Sequence, residues 1–380
     1  MNVLKPKIIS VKNRCYRSLE AGSQHDSRKA PHADESCDES KISKESTEIK
    51  RAESCEEAEE ECHIEIKELK DSRLLLVLEV PKCFRGLIFG SKRQTLNRIT
   101  NATNTKIEIP AEHQDGPIKI FGDLRENVLS ARRKILDIVN SARQRSDFTH
   151  FIAAYARDSN IQQTFKHFKN EVLSKHGNAR GVTKEVFQDE HRLHLTFGIL
   201  VLLGENERKE AESLLKRVIE EVVDKTTVSE KIKLRIQGLE YMNDDPSEVH
   251  VLYAKVQQIA GSIDFQMLAN KIVKEFKKSK LMINVKTEEV KLHLTLMNSV
   301  FRTKDVTAYN SRKMRESFDA TNILIDFNDY FFGEVEVNDI EILRHNSYDD
   351  RGYYKCTAKI PLKKVIAKPK GTSVRLVLDN

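Results

Sequence analysis

The chain has 380 residues, with 64 Lys and Arg against 58 Asp and Glu, a net charge of +6; 39% of the residues are hydrophobic and 32% charged. That length suggests two or three domains, and the polarity leaves part of the chain short of core material. No run approaches the roughly 18 consecutive apolar residues of a membrane span, so an integral membrane protein is not expected, and the opening Met-Asn-Val-Leu-Lys-Pro-Lys lacks the apolar stretch of a secretory leader.

Residues 1–62 show no sustained apolar periodicity and are expected to form a disordered tail. Within it, 34–61 holds twelve acids and four bases, net −8, while the rest of the chain sums to +14. Good helix formers at 41–62 could order in a complex. Cys15, Cys37, Cys55 and Cys62 lie in or beside this tail, and Cys83 and Cys356 stand apart in apolar surroundings. No pair has C-x-x-C spacing, so free thiols in a reducing compartment are expected, with no metal site and no cofactor.

Residues 63–145 read as strand, helix, loop, helix, strand, strand, helix. A buried strand ends in Leu74-Leu-Leu-Val-Leu-Glu-Val80, and a short segment from Pro81 to Phe89 leads to a loop at Gly90-Ser91-Lys92. Leu96, Ile99 and Ala102 mark a helix, and Lys106-Ile-Glu-Ile and Ile118-Lys-Ile-Phe are short strands around a Gln-Asp-Gly-Pro turn. A helix over 124–143 carries the stripe Leu124, Val128, Ala131, Ile135, Ile138 and Val139.

Residues 146–380 alternate strands and helices. Strands are expected at 148–155, 192–203, 232–242, 249–256 and 290–300, with a late antiparallel pair at 332–343 and 353–361. Helices are expected at 160–174, 205–223 and 265–278.

One tetrapeptide occurs twice in this region. Leu193-His194-Leu195-Thr196 and Leu292-His293-Leu294-Thr295 lie 99 residues apart, each led by a basic residue, Arg192 or Lys291. On a strand, residues two apart share a face, so His194 projects with Thr196 and His293 with Thr295, while the leucines pack behind. Two imidazoles flanking a phosphodiester can divide base and acid roles near neutral pH, and the hydroxyls can meet its non-bridging oxygens. No metal is needed for that scheme. His25-Asp-Ser27 and His345-Asn-Ser347 also fit H-x-[ST], but neither is read as part of an alternating strand, and both are set aside as decoys. His150, Asn298 and Arg302 fall near strand ends as possible cleft-lining residues.

The paired H-x-T strands resemble the 2H phosphoesterase superfamily over 146–380, whose members act on cyclic phosphodiesters and RNA ends. The resemblance implies His194, Thr196, His293 and Thr295 as the catalytic set. The upstream unit is similar to a KH module, with Ile88-Phe-Gly90-Ser-Lys-Arg93 where its G-x-x-G loop belongs; Arg93 replaces the second glycine. In such modules the loop clamps nucleic-acid backbone. Gly90, Ser91, Lys92, Arg93 and Arg98 are the candidate contacts, and 63–145 carries 16 bases and 10 acids. The expected fold is therefore α+β: a disordered tail at 1–62, a three-helix, three-strand KH module at 63–145, and a two-lobed 2H phosphoesterase-like domain with antiparallel sheets at 146–380. Segments such as Tyr241-Met-Asn-Asp-Asp-Pro and Val251-Leu-Tyr-Ala-Lys-Val narrow the resemblance to a KH-plus-2H family of coactivator subunits. That implies RNA or single-stranded nucleic acid as ligand and nuclear work beside a helicase subunit of the activating signal cointegrator complex, in transcription and the response to alkylation damage. Three readings follow: a metal-independent phosphodiesterase, a non-catalytic RNA-end-binding adaptor, or a scaffold with no nucleic-acid role.

Overall fold

The computed structural model describes residues 64–111, 114–225, 230–302 and 315–363, with the backbone of two short strands, β1 (Ile8–Val11) and β2 (Arg14–Arg17). The chain divides after Ile64 into two units. In the first, β1 and β2 form an antiparallel hairpin with Ile8 opposite Arg17. The sequence pattern marks no element there. Ile8-Ile-Ser-Val is nonetheless rich in β-branched residues. The acidic run at 34–61 lies outside the described residues.

The second unit begins with β3 (Lys67–Glu68) and β4 (Leu74–Leu78), then α1 (Lys82–Phe89), α2 (Gln94–Thr103), β5 (Lys106–Glu108), β6 (Ile118–Gly122) and α3 (Arg125–Arg143). The strands form an antiparallel sheet in the order β3-β4-β6-β5. Leu76, Ile118 and Ile120 from the sheet are buried with Ile88, Leu96, Ile99 and the α3 stripe Val128, Ala131, Ile135, Val139. Each fully buried side chain of this size contributes about 1.5–3 kcal/mol. The expected KH order is present, with β3 as an extra edge.

Residues 150–361 build one nine-stranded antiparallel sheet. Its strands are β7 (His150–Tyr155), β8 (His194–Leu200), β9 (Ile232–Tyr241), β10 (Val251–Ala260), β11 (Met282–Ile283), β12 (His293–Asn298), β13 (Phe331–Val337), β14 (Asp339–Tyr348) and β15 (Tyr354–Pro361). The order is β13-β9-β10-β12-β8-β7-β14-β15, with β11 also on β8. The two halves meet where β12 joins β8 through the pair Leu294–Leu195. The two expected lobes are these two halves, joined edge to edge into one sheet at a seam.

Helices α4 (Ser159–His176), α5 (Glu205–Val223) and α6 (Phe265–Lys278) cover one face, with short α7 (Thr321–Phe327). Ile161, Phe165, Phe168 and Val172 recur along α4 at helical spacing and enter the main core with Leu195, Leu234 and Leu294. At Gly333 (φ 135°) a Cβ would lie 2.9 Å from Ile161, so glycine lets α4 approach β13. All six residues of β7 are buried: Ile152 and Ala154 join the main core, while Phe151, Ala153 and Tyr155 form a small cluster with Leu343 on the opposite face.

Two further expectations differ. The stretch read as one strand at 332–343 is split at Asn338, with β13 beside β9 and β14 between β7 and β15. Phe332, Val335 and Val337 before the break and Ile340, Ile342 and Leu343 after it are buried, so the apolar pattern runs through it. Cys83 and Cys356, expected among apolar neighbours, are exposed free thiols. The KH module is tied to the larger sheet by buried Arg143, whose guanidinium meets Glu207 at 2.5 Å and the Val201 carbonyl.

Candidate active site and nucleic-acid groove

The H-x-T segments open two neighbouring strands. The burial pattern alternates as expected: His194, Thr196, His293 and Thr295 are half-buried, while Leu195 and Leu294 are fully packed beneath. An antiparallel crossing centred on Leu195–Leu294 sets Thr196 beside His293 and Thr295 beside His194. The pairs therefore meet side by side across the seam, one from each half.

Both histidines are held by the same device. His194 Nδ1 lies 2.6 Å from the Arg192 carbonyl, and His293 Nδ1 lies 2.6 Å from the Lys291 carbonyl. A carbonyl only accepts, so each Nδ1 carries the proton and each Nε2 is the titrating nitrogen. Burial pushes His194 down to about 4, the Arg192 carbonyl opposes this, and the charge of His293 adds to it. Burial also lowers His293, opposed by its own carbonyl bond and aided by Lys291. The rings are braced by aromatics: Phe151 (4.9 Å), Tyr354 (5.5 Å) and Tyr155 (6.3 Å) around His194, and Tyr253 (5.0 Å) against His293. Tyr155 is fixed in turn, because its hydroxyl accepts from the Tyr354 amide at 2.8 Å and the Arg157 guanidinium lies 3.9 Å over its ring. Arg157 is anchored on the fully buried Glu341 at 2.5 and 3.0 Å.

His194, Thr196 and Thr295 line a cleft of about 1280 Å³; His293 stands just outside its lining. Six Lys and Arg and four Asp and Glu line it, so the net field favours an anion. Asn298 also lines it, with its carbonyl oxygen accepting from the Val300 amide at 3.0 Å. His150 lines it too, but lies 2% exposed, with Nδ1 2.8 Å from the Thr149 hydroxyl and Nε2 without a hydrogen-bond partner. Burial, then the charges of Arg344 and Arg208, push it down to about 4. Arg302 does not line the cleft: it bonds the carbonyls of Glu316 (2.8 Å) and Gly181 and pairs with Glu316, which makes it a loop tie. The aromatic braces escape sequence reading because those of His194 come from β7 and β15 and that of His293 from β10, and only strand pairing brings them together. His345 and Ser347, set aside as a decoy, sit on β14 and line the same cleft. Their strand end is polar, so no apolar alternation marks it.

A second cavity, of about 870 Å³, lies between α2 and β5 in the KH module. Phe89, Leu96, Ile107 and Phe121 line it together with Arg73, Arg93 and Lys106. Gly90 has φ 71°, and a Cβ there would lie 2.8 Å from Thr95 Cβ and 2.9 Å from its amide nitrogen, so only glycine fits. Arg93, at the second glycine's place, adopts φ 64°, at a cost of roughly 1–2 kcal/mol. Its guanidinium lies 5.3 Å over the Phe89 ring on the groove wall. Ser91 and Lys92 are exposed on the loop, and Arg98 is exposed on α2 outside the groove lining. Asn97, Asn101 and Asn104 on the groove edge were not among the expected contacts, although with Arg93 they form a helically spaced polar stripe.

Comparison with known proteins agrees with this architecture. The family described as AKAP7 2'5' RNA ligase-like domain matches residues 148–362, and the KH domain family matches 75–137. Mouse activating signal cointegrator 1 complex subunit 1 is 34% identical over 368 residues, 93% of this chain and 98% of the mouse protein. The chain belongs to the activating signal cointegrator 1 complex subunit 1 family. It thus joins a KH domain, a nucleic-acid-binding class, to a 2H phosphoesterase-like domain. Two solved structures are also similar: TT0787 of Thermus thermophilus (18% identity, TM-score 0.37, covering 57% of this chain and 98% of that one) and E. coli LigT in apo form (15%, 0.34, 58% and 100%). Among the described residues no group of three or more His, Cys, Asp and Glu could hold a metal ion, and no helix is long and apolar enough to cross a membrane.

Proposed function

We propose that this protein is a metal-independent RNA phosphodiesterase of the 2H type, acting on RNA ends or cyclic phosphodiesters that its KH groove helps to hold. The observation that carries the reading is the duplicated device: two imidazoles on adjoining strands, each with Nδ1 fixed to the carbonyl two residues back, each paired with a threonine. A neutral Nε2 takes the proton of the attacking water or hydroxyl, and a protonated Nε2 gives one to the leaving oxygen. Thr196 and Thr295 donate to the non-bridging oxygens as charge builds there. The imidazoles supply both proton-transfer roles, which is why the scheme calls for no metal.

The test is hydrolysis of an RNA ending in a 2′,3′-cyclic phosphate, with EDTA present. Turnover by the full chain, lost in the His194→Ala, His293→Ala double variant, is the expected result. Activity that survives both substitutions, or that requires added metal, refutes the assignment. Tight binding of the RNA end without product across the pH range would instead favour the adaptor reading, which draws on both imidazoles being held neutral.

We further propose that the protein works in the nucleus with a helicase subunit of the activating signal cointegrator complex, in transcription coactivation and the response to alkylation damage. Support comes from its 34% identity to a relative named as a subunit of that complex. Co-purification of the helicase subunit with the tagged full chain from nuclear extract is expected, and its absence would count against the partnership.

A further inference from the structure

The basic residue that leads each H-x-T motif tethers the histidine through its carbonyl, and its side chain has a separate place. Each side chain lies over a tyrosine. The Arg192 guanidinium is 4.0 Å from the centroid of the Tyr348 ring, and the Lys291 ammonium is 5.1 Å from that of Tyr253. The two differ in what they face. Tyr253 is buried, Lys291 pairs with Glu240 at 3.2 Å, and neither lines the cleft. Tyr348 is 37% exposed and lines the cleft together with Arg192, Tyr354 and His194. The cleft is therefore asymmetric: it meets this arrangement on the His194 side alone.

The exposed pair is held firmly. Tyr348 on β14 is opposite Tyr354 on β15, with their rings 5.3 Å apart, and Tyr354 lies 5.5 Å from His194. Arg192 donates through Nε to the Gly352 carbonyl, in the turn between those strands, and pairs with Asp189, each at 3.3 Å. The same turn is braced where the Tyr353 ring lies 5.3 Å from His191. Side chains fixed in this way give up little further freedom when a ligand settles on them. Tyr348 stands two ring contacts from His194, and Arg192 two residues from it, which is the reach from a phosphate to the base of its own nucleotide.

The chemistry selects the group. Asp189 offsets the charge of Arg192, and Gly352 takes its Nε donor, so the pair is a poor phosphate site. What it offers instead is flat surface, a guanidinium over a phenol ring. Nucleobases stack on both kinds of surface. Stacking uses the π-face that every base has, so the site tolerates any base and favours the larger purines.

We propose that Arg192 and Tyr348 form a nucleobase-stacking platform, which holds the base of a nucleotide whose phosphate lies between the H-x-T pairs. This rests on the cleft being the phosphodiester site, and it sets the nucleoside of that substrate on the His194 side.

The test is binding, which does not depend on turnover. The probe is 2-aminopurine riboside 3′-phosphate, whose fluorescence is quenched when its ring stacks. Its affinity is compared with that of the same sugar phosphate lacking a base, read by competition. The full chain carries Ser91→Asp and Lys92→Asp, two exposed loop changes that keep the probe out of the KH groove. The probe should be quenched on binding and should bind about tenfold more tightly than the baseless ligand, the worth of one stacked base. Tyr348→Ala should abolish the quenching and bring the ratio close to one. Arg192→Lys, which keeps the charge and loses the plane, should lower the ratio in the same direction. Tyr348→Phe, which keeps the ring, should retain both signals. An unquenched probe bound no better than the baseless ligand, or signals unchanged in both Tyr348→Ala and Arg192→Lys, overturns the proposal. Quenching through Tyr348 in a protein that opens no cyclic phosphate leaves the platform standing and removes the catalytic reading instead.

Discussion

A phosphodiester bound between the two imidazoles should draw a proton from solvent. Free His194 is held at about 4 by burial and by its neighbour, and His293 is lowered as well, so both rings are neutral at pH 7. The cleft then has its base but lacks its acid. A single negative charge about 4 Å from an imidazolium, at an effective dielectric of about 20, contributes about 4 kcal/mol, or about three pKa units. That lifts His194 from about 4 back to about 7. Between those two values the free ring is unprotonated and the bound ring protonated, so binding takes up one proton. The affinity should therefore fall about tenfold per pH unit as pH rises through about 5 to 6, and level off above about 7. A 3′,5′-cyclic nucleotide suits the experiment, because its diester does not titrate in this range. Calorimetric titration in buffers of different ionisation heat reads the proton count directly. Uptake close to one at about pH 6, abolished by His194→Ala, is the expected result. Zero uptake in the unsubstituted protein, or an affinity flat across the range, would refute the electrostatic reasoning.

Two other changes probe the scaffold. Glu341→Gln removes a fully buried carboxylate that accepts from Arg157 at 2.5 and 3.0 Å and pairs with Lys359 at 3.2 Å. The expected loss is about 3 kcal/mol, the low end for a broken buried pair because Arg157 retains some solvent, and an unshifted denaturation midpoint would show that the network carries no stability. Gly90→Ala places a methyl against Thr95 at φ 71°, and should cost about 1–3 kcal/mol and weaken RNA binding together. Unaltered RNA affinity in a filter-binding assay would mean that the loop does not hold the strand.

The H-x-T pairs were readable because strand periodicity is local. A period of two is enough to put His194 with Thr196 and Leu195 behind them, and the burial pattern repeats it residue by residue. Helices α5 and α6 were readable from their apolar stripes for the same reason. What escaped depends on pairing between distant strands. That β12 lies against β8, which joins the two expected lobes in one sheet, is a matter of topology. Phe151 and Tyr155 reach His194 because β7 pairs with β8, and Tyr354 comes from β15, which lies on the far side of β14. His345 fails a sound local criterion, since its strand end overhangs the cleft and carries no buried alternate residues. Arg302 shows the converse: its place after a strand suggested substrate, while its partners are the carbonyls of a neighbouring loop.

The single pair at Leu195–Leu294 has a mechanical consequence. Most neighbouring strands of this sheet are stitched along their length, but here the ladder is one rung wide, and β12 continues instead against Phe187 and Gln188. Backbone pairing is therefore sparse along the line that separates His194 from His293. Each half keeps its own histidine, threonine and carbonyl tether on its own strand. The spacing on which a shared phosphate depends is therefore set by the helices that pack in one core beneath both halves rather than by backbone pairing within the sheet.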